Sequence, residues 1–346
     1  MTYWMTHFWS TNPHDNATKA IFIVQKNTAN TALSLGYSEL NYTGFPDLSN
    51  NPERRKRLLV GLLSSVQAGD TVVVQFPLWT MLNFQAEFFD FLKARGTVLV
   101  ALIHDVPTWQ WWEGGEPYDP NKDFWLTQLK KFDALITAND KMSHRLQEDG
   151  ITAPMVAMQL WDYHYDGFLK EKTFKKQLYY AGGRKIESID YKASTPLLIT
   201  ADAVKETQNL GSVQLIGTHD SRELMTMFDG GFGVVNYHNI HERSNFNWDY
   251  YGQFNNPTKL SMYLAAGLPV IVPSNSAHAD WVKNRGVGLV LDDLNTIDGL
   301  LSNLTEADYE AMLEAVKPWQ EAVSEGFFVR RALLELVNVL ELGLDL

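Results

Sequence analysis

The amino-acid sequence predicts an α/β protein made of two doubly wound parallel sheets. Three observations carry that reading. Short, almost continuously apolar runs alternate with segments of helical period, the pattern of parallel strands covered on both faces. The same rhythm resumes in the second half after one polar interruption. The chain has 346 residues, enough for two cores of roughly 150 to 180 residues each.

In the first half, TVVVQF (71–76), TVLVALI (97–103) and ALITA (134–138) read as buried strands, and 52–67, 83–95 and 121–132 as helices between them. In the second half, QLYYAGG (177–183), PLLIT (196–200), SVQLIG (212–217), GFGVVNY (231–237), PVIVP (269–273) and GVGLVL (286–291) are the strand candidates. The polar stretch WDYHYDGFLKEKTFKK (161–176) breaks the pattern and is the expected connection. The predicted domains are therefore 1–162 and 163–320, with a helix over 321–346 that can pack back on the first domain. Ligands of such sheets bind outside the carboxyl ends of the strands, so the functional residues are sought there.

Composition narrows the function. A net charge of −12 argues against nucleic-acid binding, which needs a basic surface to release counterions. With no cysteine, disulfides, thiolate zinc sites and cysteine nucleophiles are excluded together. The N-terminus lacks a basic segment followed by an apolar one, and the longest apolar runs fall short of the roughly 20 residues a membrane helix needs. A cytoplasmic protein without stable membrane insertion is expected. The basic segment NPERRKRLL (51–59) reads as a solvated helix face, with contact to an anionic membrane as the other reading.

The segment NNPTKLSMYLAAGLPVIV (255–272) reads as a helix that stops abruptly and enters a buried strand. Pro257 suits its first turn and Gly267 its end. Lys259 then lies near a helix N-terminus, where a cation is locally disfavoured. It is either an ordinary surface lysine or, with Thr258 and the free peptide N–H groups, part of a phosphate site. YYAGGRKIESI (179–189) ends a strand in Gly182 and Gly183, which let a ligand approach the backbone. Arg184 and Lys185 follow and can bind phosphate oxygens; a plain glycine turn with surface cations is the alternative. DGGFGVVNY (229–237) presents Asn236 and Tyr237 at a strand end.

No G-x-G-x-x-G opens the first strand–helix junction and no P-loop motif occurs, so the dinucleotide-cofactor and P-loop readings lose their support. TNPHDNATKA (11–20) stands there instead: Asn16 is a candidate helix cap or acceptor contact, and Ala17 and Thr18 permit close approach of an acceptor or a sugar. ALIHDVPTWQWWEGGEPYDPNKDFW (101–125) ends a strand in His104 and Asp105, where acid–base chemistry is placed. His104 can steady a leaving phosphate and Asp105 can deprotonate a hydroxyl, unless both serve structure. Trp109, Trp111 and Trp112 in the long loop, with Trp79 in QFPLWT, read as exposed aromatics for stacking on sugar rings or for a subunit interface. No Asp-x-Asp, H-E-x-x-H or cysteine cluster is present, so neither a metal nor another cofactor is expected.

Taken together, TKLSMYLAAGLPVIV resembles the helix–Gly-x-Pro-Val element in the second domain of GT-B glycosyltransferases. NTANTALSLGYSEL, QFPLWT, LIHDVP, GGFGVV, KLSMYLAAGLPVIV and GFFVRRAL follow in order the pattern of bacterial glucosyltransferases that extend O-linked N-acetylglucosamine (GlcNAc) on serine-rich-repeat adhesins in the accessory secretion pathway. The chain is also similar, more distantly, to galactofuranosyltransferase-like enzymes. The resemblance runs over roughly residues 20–335 and implies a GT-B fold with an interdomain cleft. It implies transfer of a hexose, glucose first, from UDP-glucose to a GlcNAc-modified protein, without a metal, by a homo-oligomer.

Lys259 matches the lysine of that family's helix, Asp105 the aspartate of its HDV, and Arg184 or Lys185 its basic residue after the glycine strand end. Two departures stand out. Met262 replaces the glutamate that holds the ribose in many GT-B enzymes, and Thr218 replaces an aromatic residue beside the base. UDP-GlcNAc as donor, a non-catalytic partner subunit and a UDP-sugar epimerase are the competing expectations.

Overall fold

The computed structural model describes residues 1–43, 51–110, 112–113, 116–117, 121–182, 189–200, 208–217, 219–237 and 248–343. They form two compact units. The first is made mainly of Met1–Leu160 and the segment from Gly326 onward, the second mainly of Trp161–Glu325.

The first unit is a parallel sheet of β1 (Tyr3–Phe8), β2 (Ser38–Tyr42), β3 (Thr71–Phe76), β4 (Val98–Ile103), β5 (Ala134–Thr137) and β6 (Met155–Ala157), in the order β2-β1-β3-β4-β5-β6. β3 and β5 are buried at every residue and β4 at all but its first, as expected of central strands covered on both faces. Phe76 at the end of β3 packs against Phe89, Phe132 and Trp125, one aromatic cluster joining the sheet to its covering helices. Strand order reverses between β1 and β3, which places the topological switch point at their carboxyl ends.

The terminal segment forms two helices, Glu306–Ser324 and Phe327–Val337, broken at Gly326, whose φ of +75° suits glycine. The second packs against helix Ala20–Ser34 and β6. Arg331 ties it down by donating through Nη2 to the carbonyls of Ala157 and Met158, both at 2.9 Å. Among the basic residues of 51–59, Arg55 is buried against Glu87, with Nε–Oε2 at 2.8 Å and Nη2–Oε1 at 2.7 Å; that side chain serves packing between helices, not a solvated face.

The second unit contains β7 (Thr173–Tyr180), β8 (Leu197–Ile199), β9 (Gln208–Leu210), β10 (Val213–Leu215), β11 (Gly230–Val234), β12 (Val270–Val272) and β13 (Gly288–Val290), in the order β9-β10-β8-β7-β11-β12-β13. All pairs are parallel except the β9–β10 hairpin, which turns at Gly211. Without that edge hairpin strand the order is that of a dinucleotide-binding Rossmann sheet, with its switch point between β7 and β11. β7 starts at Thr173, inside the stretch read as connection, because its first half is half-solvated and carries Lys175 and Lys176. β9 escaped the sequence reading because it is a fully exposed edge with the polar sequence Gln-Asn-Leu.

Candidate functional site

In the second unit Lys259 and Gly182 lie together at the switch point. Helix Thr258–Ala265 starts after Pro257, a cap residue that makes no side-chain capping bond. It ends at Gly267, φ +71°, where Gly267 N–H donates to Leu264 O and Leu268 N–H to Tyr263 O, both at 2.9 Å. These are the paired bonds of a Schellman stop.

Lys259, one residue into the helix, lies with Nζ 5.3 Å from the centre of the Tyr180 ring at the end of β7. A Cβ built on Gly182 would sit 3.4 Å from Lys259 Cε and 3.1 Å from the Tyr180 ring. The Lys259 head therefore packs directly beside Gly182, and the tight contact that a side chain there would make is with the Tyr180 ring. Gly182 N–H donates to Thr200 Oγ1 at 2.7 Å, fixing the turn after β7. A cation, the start of a helix and a bare strand end thus meet in one place, an arrangement that can hold an anionic oxygen group.

Other residues singled out in this unit have different roles. Tyr237 is fully buried and donates to Leu291 O at 2.6 Å; it belongs to the core, and the expectation that it faces a ligand is corrected. Asn236 beside it is half-buried and holds a left-handed φ of +51°, a conformation that Asn tolerates better than most residues. The glycines of β11 serve close packing. A Cβ on Gly230 would meet Thr173 O at 2.0 Å, and one on Gly233 would meet the Tyr263 ring at 2.2 Å. Gly183, Arg184, Lys185 and Thr218 lie outside the described residues.

The carboxyl edge of the first sheet is a buried polar network. Gln75, in β3, donates through Nε2 to the carbonyls of Thr6 (2.6 Å) and Gln25 (3.1 Å). Its N–H bonds Thr6 Oγ1 at 2.8 Å, and Gln25 Oε1 accepts from Phe8 N–H at 2.9 Å. Both donors of the Gln75 amide are thereby directed at carbonyls, so its Oε1 faces His104 Nε2 at 2.8 Å, and that nitrogen carries the proton. Burial pushes His104 down to about 3, so the ring is neutral near pH 7. The expectation that His104 steadies a leaving phosphate is corrected: the buried ring is neutral and its Nε2 is engaged by Gln75 in the strand-end network.

Asp105 follows, half-buried, and accepts from Gln110 Nε2 at 2.9 Å. The sequence reading missed Gln25 and Gln75. The signal was present, because a lone glutamine inside TVVVQF must be paired if that strand is buried.

Trp109 is 2% exposed and donates through Nε1 to Asp149 Oδ2 at 2.8 Å. It is a core residue, not the exposed stacking platform expected. Trp79 is 36% exposed with a φ of +54°, a strained backbone for an aromatic residue. Trp111 and the side chain of Trp112 lie outside the description.

Asn12, not Asn16, caps the helix Pro13–Thr18, accepting from His14 N–H at 3.1 Å. Asn16 instead closes the turn after β1, bonding both the N–H and the carbonyl of Ser10, and Thr18 donates to His14 O at 2.8 Å. Among the described residues, no group of three or more His, Asp or Glu side chains is placed to hold a metal ion, and no helix is long and apolar enough to cross a membrane.

Residues 2–160 match the family described as Glucosyltransferase 3-like, N-terminal domain, and residues 178–336 match Glucosyltransferase 3-like, C-terminal domain. The chain belongs to the Glucosyltransferase 3-like family. It is 30% identical over 323 residues to Glucosyltransferase 3 of Streptococcus gordonii, covering 91% of this chain and 93% of that one. It is 22% identical over 288 residues to Beta-1,6-galactofuranosyltransferase WbbI of Escherichia coli (strain K12), covering 81% and 82%.

Among solved structures it is similar to sucrose-phosphate synthase from Thermosynechococcus elongatus, with a TM-score of 0.65 at 10% identity over 99% of this chain and 100% of that one. The fold is GT-B, two Rossmann-like α/β units. The family member described here is a glycosyltransferase.

Proposed function

We propose that this glycosyltransferase moves a hexose, glucose first, from a UDP-sugar to O-linked GlcNAc on a serine-rich-repeat adhesin, without a metal, in the cytoplasm and as a homo-oligomer. The observation that carries the donor half is the convergence of Lys259, Gly182 and the start of helix Thr258–Ala265 at the switch point of the second unit. A cation that costs a few tenths of a kcal/mol at a bare helix N-terminus is explained by an anionic partner, and a diphosphate supplies one. The names of relatives support glucose, since two streptococcal proteins similar to this chain are called Glucosyltransferase 3.

In the reaction the bond from the anomeric carbon to the diphosphate breaks, and a hydroxyl of the acceptor GlcNAc forms the new glycosidic bond. Lys259 meets the charge that develops on the departing UDP. Asp105 takes the hydroxyl proton if the anomeric centre inverts; if the centre is retained it orients the acceptor, whose proton passes to the departing phosphate oxygen. Trp79, exposed at the end of β3, is assigned to the acceptor sugar.

The test is transfer from a panel of UDP-sugars, with and without a GlcNAc-bearing serine peptide, in the presence of EDTA. The expected result is glucose transfer that requires the GlcNAc and survives chelation. Transfer only from UDP-GlcNAc would change the donor, and loss of activity in EDTA would end the metal-free reading. Tight UDP binding with no transfer from any donor would make the chain a partner subunit.

A further inference from the structure

Tyr263 lies four residues after Lys259 on helix Thr258–Ala265, so the two side chains share one helix face. Its ring is fully buried and crosses β11 directly over Gly233, where any Cβ would come within 2.2 Å of it. Beyond that strand its hydroxyl reaches the end of β7. It donates to Tyr179 O at 3.0 Å and accepts from Ala181 N–H at 2.8 Å. Burial pushes the phenol far up, so it stays protonated and keeps both bonds. One side chain thus connects the lysine-bearing helix, β11 and the strand end that leads into Gly182.

We infer that Tyr263 is a positioning residue for the nucleoside diphosphate: it holds the Ala181–Gly182 turn at a fixed distance from Lys259 before the donor arrives. Without it, Lys259 and the bare strand end would have to be brought together on binding, at the expense of affinity. The glycine at 233 is part of the same device, since it is the gap through which the ring passes. The inference rests on the assignment of this place to the donor.

The test compares wild type, Tyr263→Phe, Lys259→Met and the double variant, measuring UDP affinity by calorimetry, donor KM, acceptor KM and thermal stability. Phenylalanine keeps the ring over Gly233 and removes only the hydroxyl, so the variant should fold with a lower midpoint. UDP affinity should fall, and donor KM should rise, about five- to tenfold, the scale of one or two buried hydrogen bonds. Acceptor KM should stay unchanged.

Because Tyr263 acts through the same place as Lys259, the two substitutions should combine to less than the product of their separate effects. A fall in midpoint with unchanged UDP affinity would overturn the inference, leaving Tyr263 a structural residue only. Fully multiplicative losses would overturn it as well. If wild type fails to bind UDP, or Lys259→Met binds it normally, the donor assignment itself fails, which distinguishes the two outcomes.

Discussion

At the carboxyl edge of the first sheet, strand ends are held by side chains: Thr6, Gln25, Gln75 and His104 link β1, β3, β4 and helix Ala20–Ser34 through buried hydrogen bonds. At the corresponding edge of the second sheet, side chains are mostly withdrawn. Gly182 and Gly233 remove bulk, and β7, β11 and helix Thr258–Ala265 approach until one tyrosine spans them. The difference follows from what each edge has to do. A buried polar network is rigid and specific, which on the proposed function suits a fixed wall behind Asp105. A strand end without side chains leaves space, which on the proposed function suits a large anionic ligand beside Lys259.

The comparison breaks most sharply at Asp105. If the first edge supplies chemistry and the second supplies donor affinity, Asp105→Asn should lower kcat by about 10²- to 10⁴-fold, the range of general-base catalysis. UDP affinity measured by calorimetry should stay within about twofold of wild type. Lys259→Met should do the reverse, weakening UDP by roughly 10- to 100-fold, the loss of a charge-assisted contact. Undiminished transfer by Asp105→Asn would remove it from the reaction.

The second prediction sharpens the claim that His104 is a neutral structural member. Its native pKa is depressed to about 3 from 6.5, so the unfolded chain binds the proton first and stability is lost as pH falls below the unfolded value. From pH 6.5 to 5 the loss from this one group is about 1.5 kcal/mol. His104→Gln keeps an N–H to offer Gln75 and removes the titration. Chemical denaturation should show wild type losing that increment over the interval and the variant largely escaping it. Parallel curves would mean that the imidazole is not buried neutral.

The strands were legible wherever burial on both faces made the chain continuously apolar, as in TVVVQF and VLVALI. Edges were not, since β9 is exposed and the start of β7 is polar. The Gly267 stop could be read because a helix ending in glycine before Pro-Val has few alternatives. Pairing of Lys259 with Gly182 was legible only as two separate motifs; their contact depends on the β7–β11 neighbourhood, which no local pattern encodes. Tryptophans misled for a related reason. Composition marks a Trp-rich loop, but whether an indole is solvent-facing depends on the helix packed over it, and Trp109 finds Asp149 forty residues away in sequence.

Trp79 and Trp109 make the smallest and most selective test. Both follow strands of the first sheet, yet one is exposed with a strained backbone and the other is closed into the core. Trp79→Ala removes a stacking face and should raise the KM for the GlcNAc peptide about three- to tenfold, the scale of aromatic contacts. Its thermal midpoint should fall as well, since most of the indole surface is covered, so the KM effect is what marks an acceptor role. Trp109→Phe keeps most of the ring, loses the bond to Asp149 and should cost about 1 kcal/mol of stability, with acceptor KM unchanged. Measuring both parameters on both variants separates the two indoles. A midpoint drop in Trp79→Ala without any KM effect would place Trp79 with the core and leave the acceptor to be found elsewhere on the first unit.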